Sequence, residues 1–398
     1  MSSRLDSLST GLLLVAASLM TIGIVMVTST AASLEESIVE SISWQTPFIR
    51  QAAFVGSGFV LMLVCARIGP GLLQWRPGLA LQPSVVLLFV VVVLLACVWV
   101  PGVGVESHGK HRWVAFGAVR FQPSEVAKLA LVVFLAALLC RRNTASQHRV
   151  PDITIPMLAI AVVCAMVGRE DFGTAVLLAV VGGLMLMARG CPLSTMAAWT
   201  IPAVGAFIYM IVSQPYRIER LLGFLRIWED PHGVGYHPMQ SLAAIASGGW
   251  AGRGLGAGLA KYGYLPESGS DFVFSIICEE IGFFGGVVVI LFFVVLVLLG
   301  LRTMMLAPCE DGGFAKLFAF GVTVTIALQG LMNIAVVTAV APTKGIPLPL
   351  VSAGGSGLLC FSVAVGLLAG VPRRAVVAAA PPGDATPEKM VLTQALRK

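Results

Sequence analysis

Charge is scarce in this chain. Only 12% of its 398 residues are Asp, Glu, Lys or Arg, against about 25% in an average soluble domain. A soluble domain with a fully solvated surface is therefore excluded. Regularly spaced cysteines are missing too. The eight cysteines (Cys65, Cys97, Cys140, Cys164, Cys191, Cys278, Cys309 and Cys360) lie mostly inside apolar runs with no paired spacing. They behave as small hydrophobes, so neither a disulfide framework nor a zinc site is expected. Short alternating apolar–polar segments are absent, which argues against a transmembrane β-barrel. No polar stretch is long enough to fold alone, and no internal repeat is visible. The Gly-Lys-Ser/Thr ending of a Walker loop is missing as well. Nothing in the pattern points to nucleic acid as a partner.

What the chain has is length of apolar sequence. Hydrophobic residues make up 57% of it, and mean hydropathy is +0.91. Ten runs are long enough to cross a bilayer. They cover about 11–29, 50–66, 82–101, 123–140, 152–168, 173–189, 196–213, 272–300, 316–341 and 349–371. Backbone in lipid must satisfy its own hydrogen bonds, so each run is expected to be a helix. The prediction is an all-α integral membrane protein of about ten transmembrane helices. Residues 1–371 form its membrane domain, and 372–398 form a Pro/Ala-rich tail expected to be disordered. Arg4 and Thr30-Ala-Ala-Ser33 imitate a signal peptide. The apolar run between them is too long for a signal core, so it is taken as an uncleaved first helix.

Charge sets the expected orientation. Arg67, Arg76, Arg141, Arg142, Arg149, Arg302, Lys316, Arg373 and Arg374 fall on one side of a ten-helix topology. The first loop on the other side carries Glu35, Glu36 and Glu40. Both termini are then cytoplasmic. Three segments face outward: about 102–122, the long loop 213–271, and the short turn 341–348. They hold more positive charge than this rule predicts: Lys110, Arg112, Arg120, Arg217, Arg220, Arg226, Arg253, Lys261 and Lys344, with Arg169 nearby. Long loops escape the rule, but the short ones do not. A cationic outer cavity implies an anionic ligand, and phosphate is the simplest.

Polar residues gather in a few places. Asp271 stands at the mouth of the eighth run, with Glu267 four residues before it and Lys261 upstream. Either Asp271 is a functional carboxylate at the membrane boundary, or Ser270 or Asp271 caps the following helix. His108-Gly-Lys-His-Arg-Trp113 precedes Arg120-Phe-Gln-Pro-Ser-Glu125 and Lys128. Pro123 can open a helix, which puts Glu125 and Lys128 on one face as an ion pair or a functional pair. Asp171 caps the next helix or serves a site. Gly248-Gly-Trp-Ala-Gly-Arg-Gly-Leu-Gly256 can approach a ligand closely or fold back as a re-entrant segment. Glu279-Glu280, Gln329, Asn333 and Ser352-Ala-Gly-Gly-Ser356 lie on or beside later helices. For Gln329 and Asn333 the favoured role is gluing helices together.

Together these pieces resemble the SEDS family (shape, elongation, division and sporulation), of FtsW, RodA and SpoVE type. The resemblance runs from the first helix to about residue 371. It rests on Arg112-Trp113 with Gln122-Pro-Ser-Glu125 and Lys128, Asp171-Phe-Gly-Thr174, Asp230-Pro with Gly235-Tyr and Gln240-Ser241, Tyr264-Leu-Pro-Glu267 with Asp271-Phe, Glu279-Glu280, and Pro342-Thr-Lys-Gly345 through Gly354-Gly-Ser356. The Pro-Thr-Lys-Gly form is most like the FtsW, or cell-division, branch. The resemblance implies a peptidoglycan glycosyltransferase in the bacterial plasma membrane, at the septum. It would polymerise lipid II, a disaccharide-peptide on undecaprenyl pyrophosphate. Its expected partners are a class B penicillin-binding protein and other divisome proteins. The chain departs from the family in three places. Ser268-Gly-Ser270 stands where Ala-His-Thr is common, Glu170 where proline is common, and His237 where glutamine is common.

The resemblance matches Asp271 to the family's essential acidic residue, and Trp113, Arg120 and Lys128 to functionally sensitive positions. The chemistry asks for one base, because the acceptor hydroxyl must lose a proton. The pyrophosphate leaving group needs cations rather than an acid, unlike the two-carboxylate glycosidases. Asp271 is the expected base and Glu267 its rival. Arg112, Arg120, Lys128, Arg217, Arg220 and Lys261 are candidate phosphate clamps. Trp113, Glu125, Asp171, Gln240, Ser270, Lys344, Ser352 and Ser356 are further candidate substrate contacts. A divalent cation, Mg or Mn, could bridge pyrophosphate and carboxylate, but the sequence offers no complete metal site. A lipid II flippase and a non-catalytic division scaffold are the alternatives.

Overall fold

The computed structural model describes residues 2–35, 45–76, 79, 81–107, 110–116, 119–141, 150–213, 218, 223–224, 226–230, 233, 235–307 and 313–379. Eleven α-helices are present among them. They are α1 (Ser2–Glu35), α2 (Gln45–Ile68), α3 (Pro83–Cys97), α4 (Pro123–Leu139), α5 (Val150–Glu170), α6 (Phe172–Ala188), α7 (Leu193–Val212), α8 (Tyr236–Gly248), α9 (Val273–Leu306), α10 (Phe314–Val337) and α11 (Gly355–Ala379). Six of them (α1, α2, α5, α9, α10 and α11) are long and apolar enough to cross a membrane. Shorter helices occupy the other four apolar runs. The chain is a multi-pass membrane protein. Pro83 and Pro123 sit in the first turns of α3 and α4, where their missing N–H costs nothing.

Three features depart from the expectation. The loop after α3 is not irregular. It folds as an antiparallel sheet of β1 (Gly104–Ser107), β2 (Lys110–Phe116) and β3 (Val119–Phe121). Val105 pairs with Trp113, and Ala115 with Arg120. The all-α description therefore holds for the spanning part only. The long loop also contains α8, whose 13 residues rise only about 20 Å, too short to span. α11 runs on to Ala379, past the boundary placed at 371.

α4, α10 and α11 form the centre. α4 is buried almost continuously from Pro123 to Leu138, as befits a helix that is largely apolar on every side beyond the paired Glu125 and Lys128 of its first turns. α2 packs on α11 through small residues. A Cβ at Gly366 would strike the Met62 carbonyl, so only glycine permits this approach.

α9 is broken at Gly282, where φ is 83°. The glycine-rich loop after α8 fills the break. Arg253 and Gly254 donate their N–H groups to the Glu279 and Glu280 carbonyls, both at 3.0 Å. The Phe283 N–H donates to the Gly249 carbonyl at 2.9 Å. The loop glycines thus approach a helix backbone. A Cβ at Gly282 would collide with the Gly252 nitrogen and the Trp250 carbonyl. We predict that Gly282→Ala costs at least about 1–3 kcal/mol from the backbone conformation alone. A fall in Tm of the detergent-solubilised protein would check it.

Candidate active site

The turn before α9 is organised by Glu267, whose φ is 57°. Its carbonyl accepts the N–H groups of Ser270, Asp271 and Phe272 at 3.1, 3.1 and 3.2 Å. Its carboxylate accepts the Ser270 hydroxyl at 2.7 Å. The N-cap of α9 is Phe272, and no side chain caps the helix. Capping therefore does not explain Asp271. Its half-buried carboxylate faces Gly345 instead: a Cβ built there would lie 3.0 Å from Asp271 Oδ2. The same point lies 3.6 Å from an Arg112 guanidinium nitrogen. Asp271 and Arg112, far apart in sequence, converge on the Gly345 backbone.

Other polar groups fix this meeting. The Asn333 amide donates to the carbonyls of Asp271 and Ile346, both at 2.8 Å. The Ser352 hydroxyl donates to the Ser270 carbonyl at 2.5 Å. The Ala353 N–H donates to the Gly269 carbonyl at 2.8 Å. The turn carrying Asp271 is thereby stitched to the segment between α10 and α11. Asn333 thus glues α10 to the turn carrying Asp271 and to the segment around Ile346, as expected of a helix-joining amide.

Arg112 leaves the sheet and reaches the end of α5. Its Nε and one terminal nitrogen donate to the Glu170 carbonyl at 3.0 and 2.8 Å. Asp171 caps α6, accepting the Thr174 N–H at 3.1 Å and the Thr174 hydroxyl at 2.9 Å. Lys344 lies beside it, with its ammonium 5.7 Å from the Phe172 ring centroid. Burial pushes the Lys344 ammonium below the usual lysine range, and the Asp171 carboxylate partly restores it. One carboxylate and one guanidinium therefore meet at Gly345, while Lys344 and Asp171 lie together at the start of α6.

Two expected phosphate contacts are committed elsewhere. Lys128 is buried, bonded to Glu125 at 2.8 Å and to the Gln329 amide oxygen at 2.6 Å. Gln329 in turn donates to the Pro347 carbonyl at 2.9 Å. Lys261 is only 2% exposed. It bonds Glu280 at 2.7 Å, and the Ser29 hydroxyl and Gly256 carbonyl at 2.8 Å. Reaching a ligand would strand a buried carboxylate in either case, at high cost.

The remaining candidates scatter. Arg120 is exposed on β3, while Trp113 on β2, Gln240 on α8 and Ser356 in the first turn of α11 are half-buried. Arg217 and Arg220 lie outside the described residues, as do His108 and residues 380–398. Among the described residues, no group of three or more His, Cys, Asp or Glu is placed to hold a metal. Sequence reasoning missed the part played by Glu170 and Gly345. Glu170 had signalled itself only as a departure from a familiar pattern.

A family model described as a cell cycle protein of the FtsW/RodA/SpoVE type matches residues 10–376. The chain belongs to the FtsW/RodA/SpoVE family. It is 35% identical to a probable peptidoglycan glycosyltransferase FtsW of Legionella pneumophila, over 88% of this chain and 87% of that one. It is also 35% identical to stage V sporulation protein E of Bacillus subtilis, over 89% and 94% respectively. FtsW/RodA/SpoVE proteins of known structure share the fold. A chain from a peptidoglycan synthase complex that coordinates polymerisation and crosslinking aligns with a TM-score of 0.69 at 26% identity. That alignment covers 92% of this chain and 97% of the other. The rod shape determining protein RodA of Thermus thermophilus aligns with a TM-score of 0.62 at 25% identity, over 92% and 96%.

Proposed function

We propose that this chain is a peptidoglycan glycosyltransferase that polymerises lipid II during septal wall synthesis, with Asp271 as general base. The observation that carries the reading is the convergence of Asp271, which does not cap α9, and Arg112 on Gly345. The names of the FtsW relatives support the activity. Asp271 takes the proton from the acceptor 4-hydroxyl as its oxygen attacks the donor's anomeric carbon. The bond from that carbon to the pyrophosphate oxygen breaks, and Arg112 and Lys344 receive the developing negative charge. Asp271 then returns its proton to water. One direct displacement inverts the anomeric centre. Holding both lipid-linked sugars in register supplies much of the acceleration. The site faces outward from the plasma membrane, and a class B penicillin-binding protein crosslinks the product.

Lys344 makes a pH prediction. A lysine held below its ordinary range loses its charge at a lower pH. The alkaline limb of kcat/KM, which reports groups of the free enzyme, therefore falls earlier than an exposed lysine would allow. Lys344→Arg keeps its charge and moves that limb to higher pH. A pH–rate profile of both proteins measures the shift.

The reading is tested with purified chain, its transpeptidase partner and labelled lipid II. Glycan polymer with released undecaprenyl pyrophosphate is the expected product. Transbilayer movement of lipid II in vesicles without any polymer would favour the flippase instead.

A further inference from the structure

We propose that Glu170 is a positioning residue for the leaving-group cation, acting through Arg112. This rests on the reading above, in which Arg112 receives pyrophosphate charge. Glu170 ends α5 and uses all three of its oxygens. One carboxylate oxygen accepts the Trp99 indole N–H at 3.1 Å, in the turn after α3. The other accepts the backbone N–H of His111 at 3.2 Å, on β2 one residue before Arg112. The carbonyl accepts two donors of Arg112 itself.

The two halves of Glu170 have separate effects. The carboxylate holds the strand at the root of Arg112. The carbonyl holds the guanidinium, at the helix end where a cation is favoured. With Nε and one terminal nitrogen engaged, the fork cannot rotate. Its remaining nitrogen is left facing Gly345 and the Asp271 carboxylate. A residue without a carboxylate at this position would offer the carbonyl alone. This chain therefore carries a second anchor, linking α3, β2 and α5 at one residue. A small cleft beside the anchor is lined by Trp99, His111, Arg112, Ser124, Glu170 and Asp171.

The fork's aim affects the transition state more than substrate affinity, because pyrophosphate charge develops as the bond breaks. Glu170→Ala is expected to lower kcat about ten- to a hundredfold, the loss a small misplacement near the reacting centre can cause. KM should change little. Glu170→Gln keeps size and one acceptor oxygen and should fall in between. The discriminating experiment is a double-mutant cycle in the polymerisation assay with the partner-bound full chain. Glu170→Ala and Glu170→Gln are compared in wild-type and Arg112→Lys backgrounds. Lys at position 112 lacks the two-donor grip, so the Glu170 effect should shrink to less than about twofold there. Lipid II binding is measured in parallel in an Asp271→Asn background, where Glu170→Ala should leave affinity unchanged. Equal losses in both backgrounds, or wild-type kcat in Glu170→Ala, would overturn the proposal while leaving the glycosyltransferase reading standing. Absence of polymer from the wild type would remove that reading and this proposal with it. Should Glu170→Ala fail to fold, the isosteric Glu170→Gln decides alone.

Discussion

Replacing Asp271 with asparagine lowers kcat about 10²- to 10⁴-fold, the usual contribution of a general base. The fold should survive. Asp271 contributes its backbone carbonyl to Asn333 and its backbone N–H to Glu267, and an asparagine keeps both. No helix cap is lost, because the side chain does not cap α9. Asparagine matches the shape but cannot accept the hydroxyl proton. Glu267→Gln, by contrast, should stay within a few-fold of wild type. The Glu267 carboxylate is exposed and accepts the Ser270 hydroxyl at 2.7 Å. A glutamine oxygen can accept that bond as well. Steady-state polymerisation, with Tm measured beside it, checks both variants.

Lys261→Ala should destabilise the protein by about 3–5 kcal/mol, the cost of leaving a buried charge unpaired. Glu280 is 1% exposed, and Lys261 is its salt-bridge partner. The site links three parts of the chain. Ser29 of α1 donates to Glu280, Gly256 donates its N–H to Glu280 at 3.0 Å, and Lys261 closes the cluster. The neighbouring Glu279 accepts the N–H groups of Leu259 and Ala260 at 2.8 and 3.1 Å. Two buried carboxylates on α9 thus hold the segment that leads to Asp271. Lys261→Met combined with Glu280→Leu should recover much of the loss, because no unpaired charge remains. Thermal unfolding of the three proteins in detergent measures this. An additive loss in the double variant would contradict the buried-pair account.

Much of the fold could be read from the chain alone, for a simple reason. A long apolar run in lipid has one common solution, and the helices fall on those runs. α3 shows the limit. Its run continues to residue 101, yet the helix ends at Cys97 and frees Trp99 for Glu170. The sheet was hidden because Lys110–Phe116 does not alternate cleanly. α8 was hidden inside a loop of glycine, proline and charge. Local spacing revealed the Glu125–Lys128 pair and the Asp171 cap, whose partners lie three residues away. Lys261 was misplaced for the opposite reason. Its partner Glu280 is 19 positions on, across a glycine-rich loop, and positive charge alone suggested a phosphate contact. The turn at Asp271 could not decide its own role either. That required Arg112 and Gly345, which only the tertiary fold brings beside it.

The central claim is that Asp271 takes the acceptor proton in a single displacement. Rapid-quench single turnover on labelled lipid II tests it most directly, using wild type, Asp271→Asn and Glu267→Gln in complex with the transpeptidase. The account predicts that undecaprenyl pyrophosphate and the first glycosidic bond appear together in wild type and in Glu267→Gln. Neither should form on that timescale in Asp271→Asn, although lipid II still binds. Bond formation at the wild-type rate in Asp271→Asn, or pyrophosphate release well ahead of the bond in wild type, would contradict it.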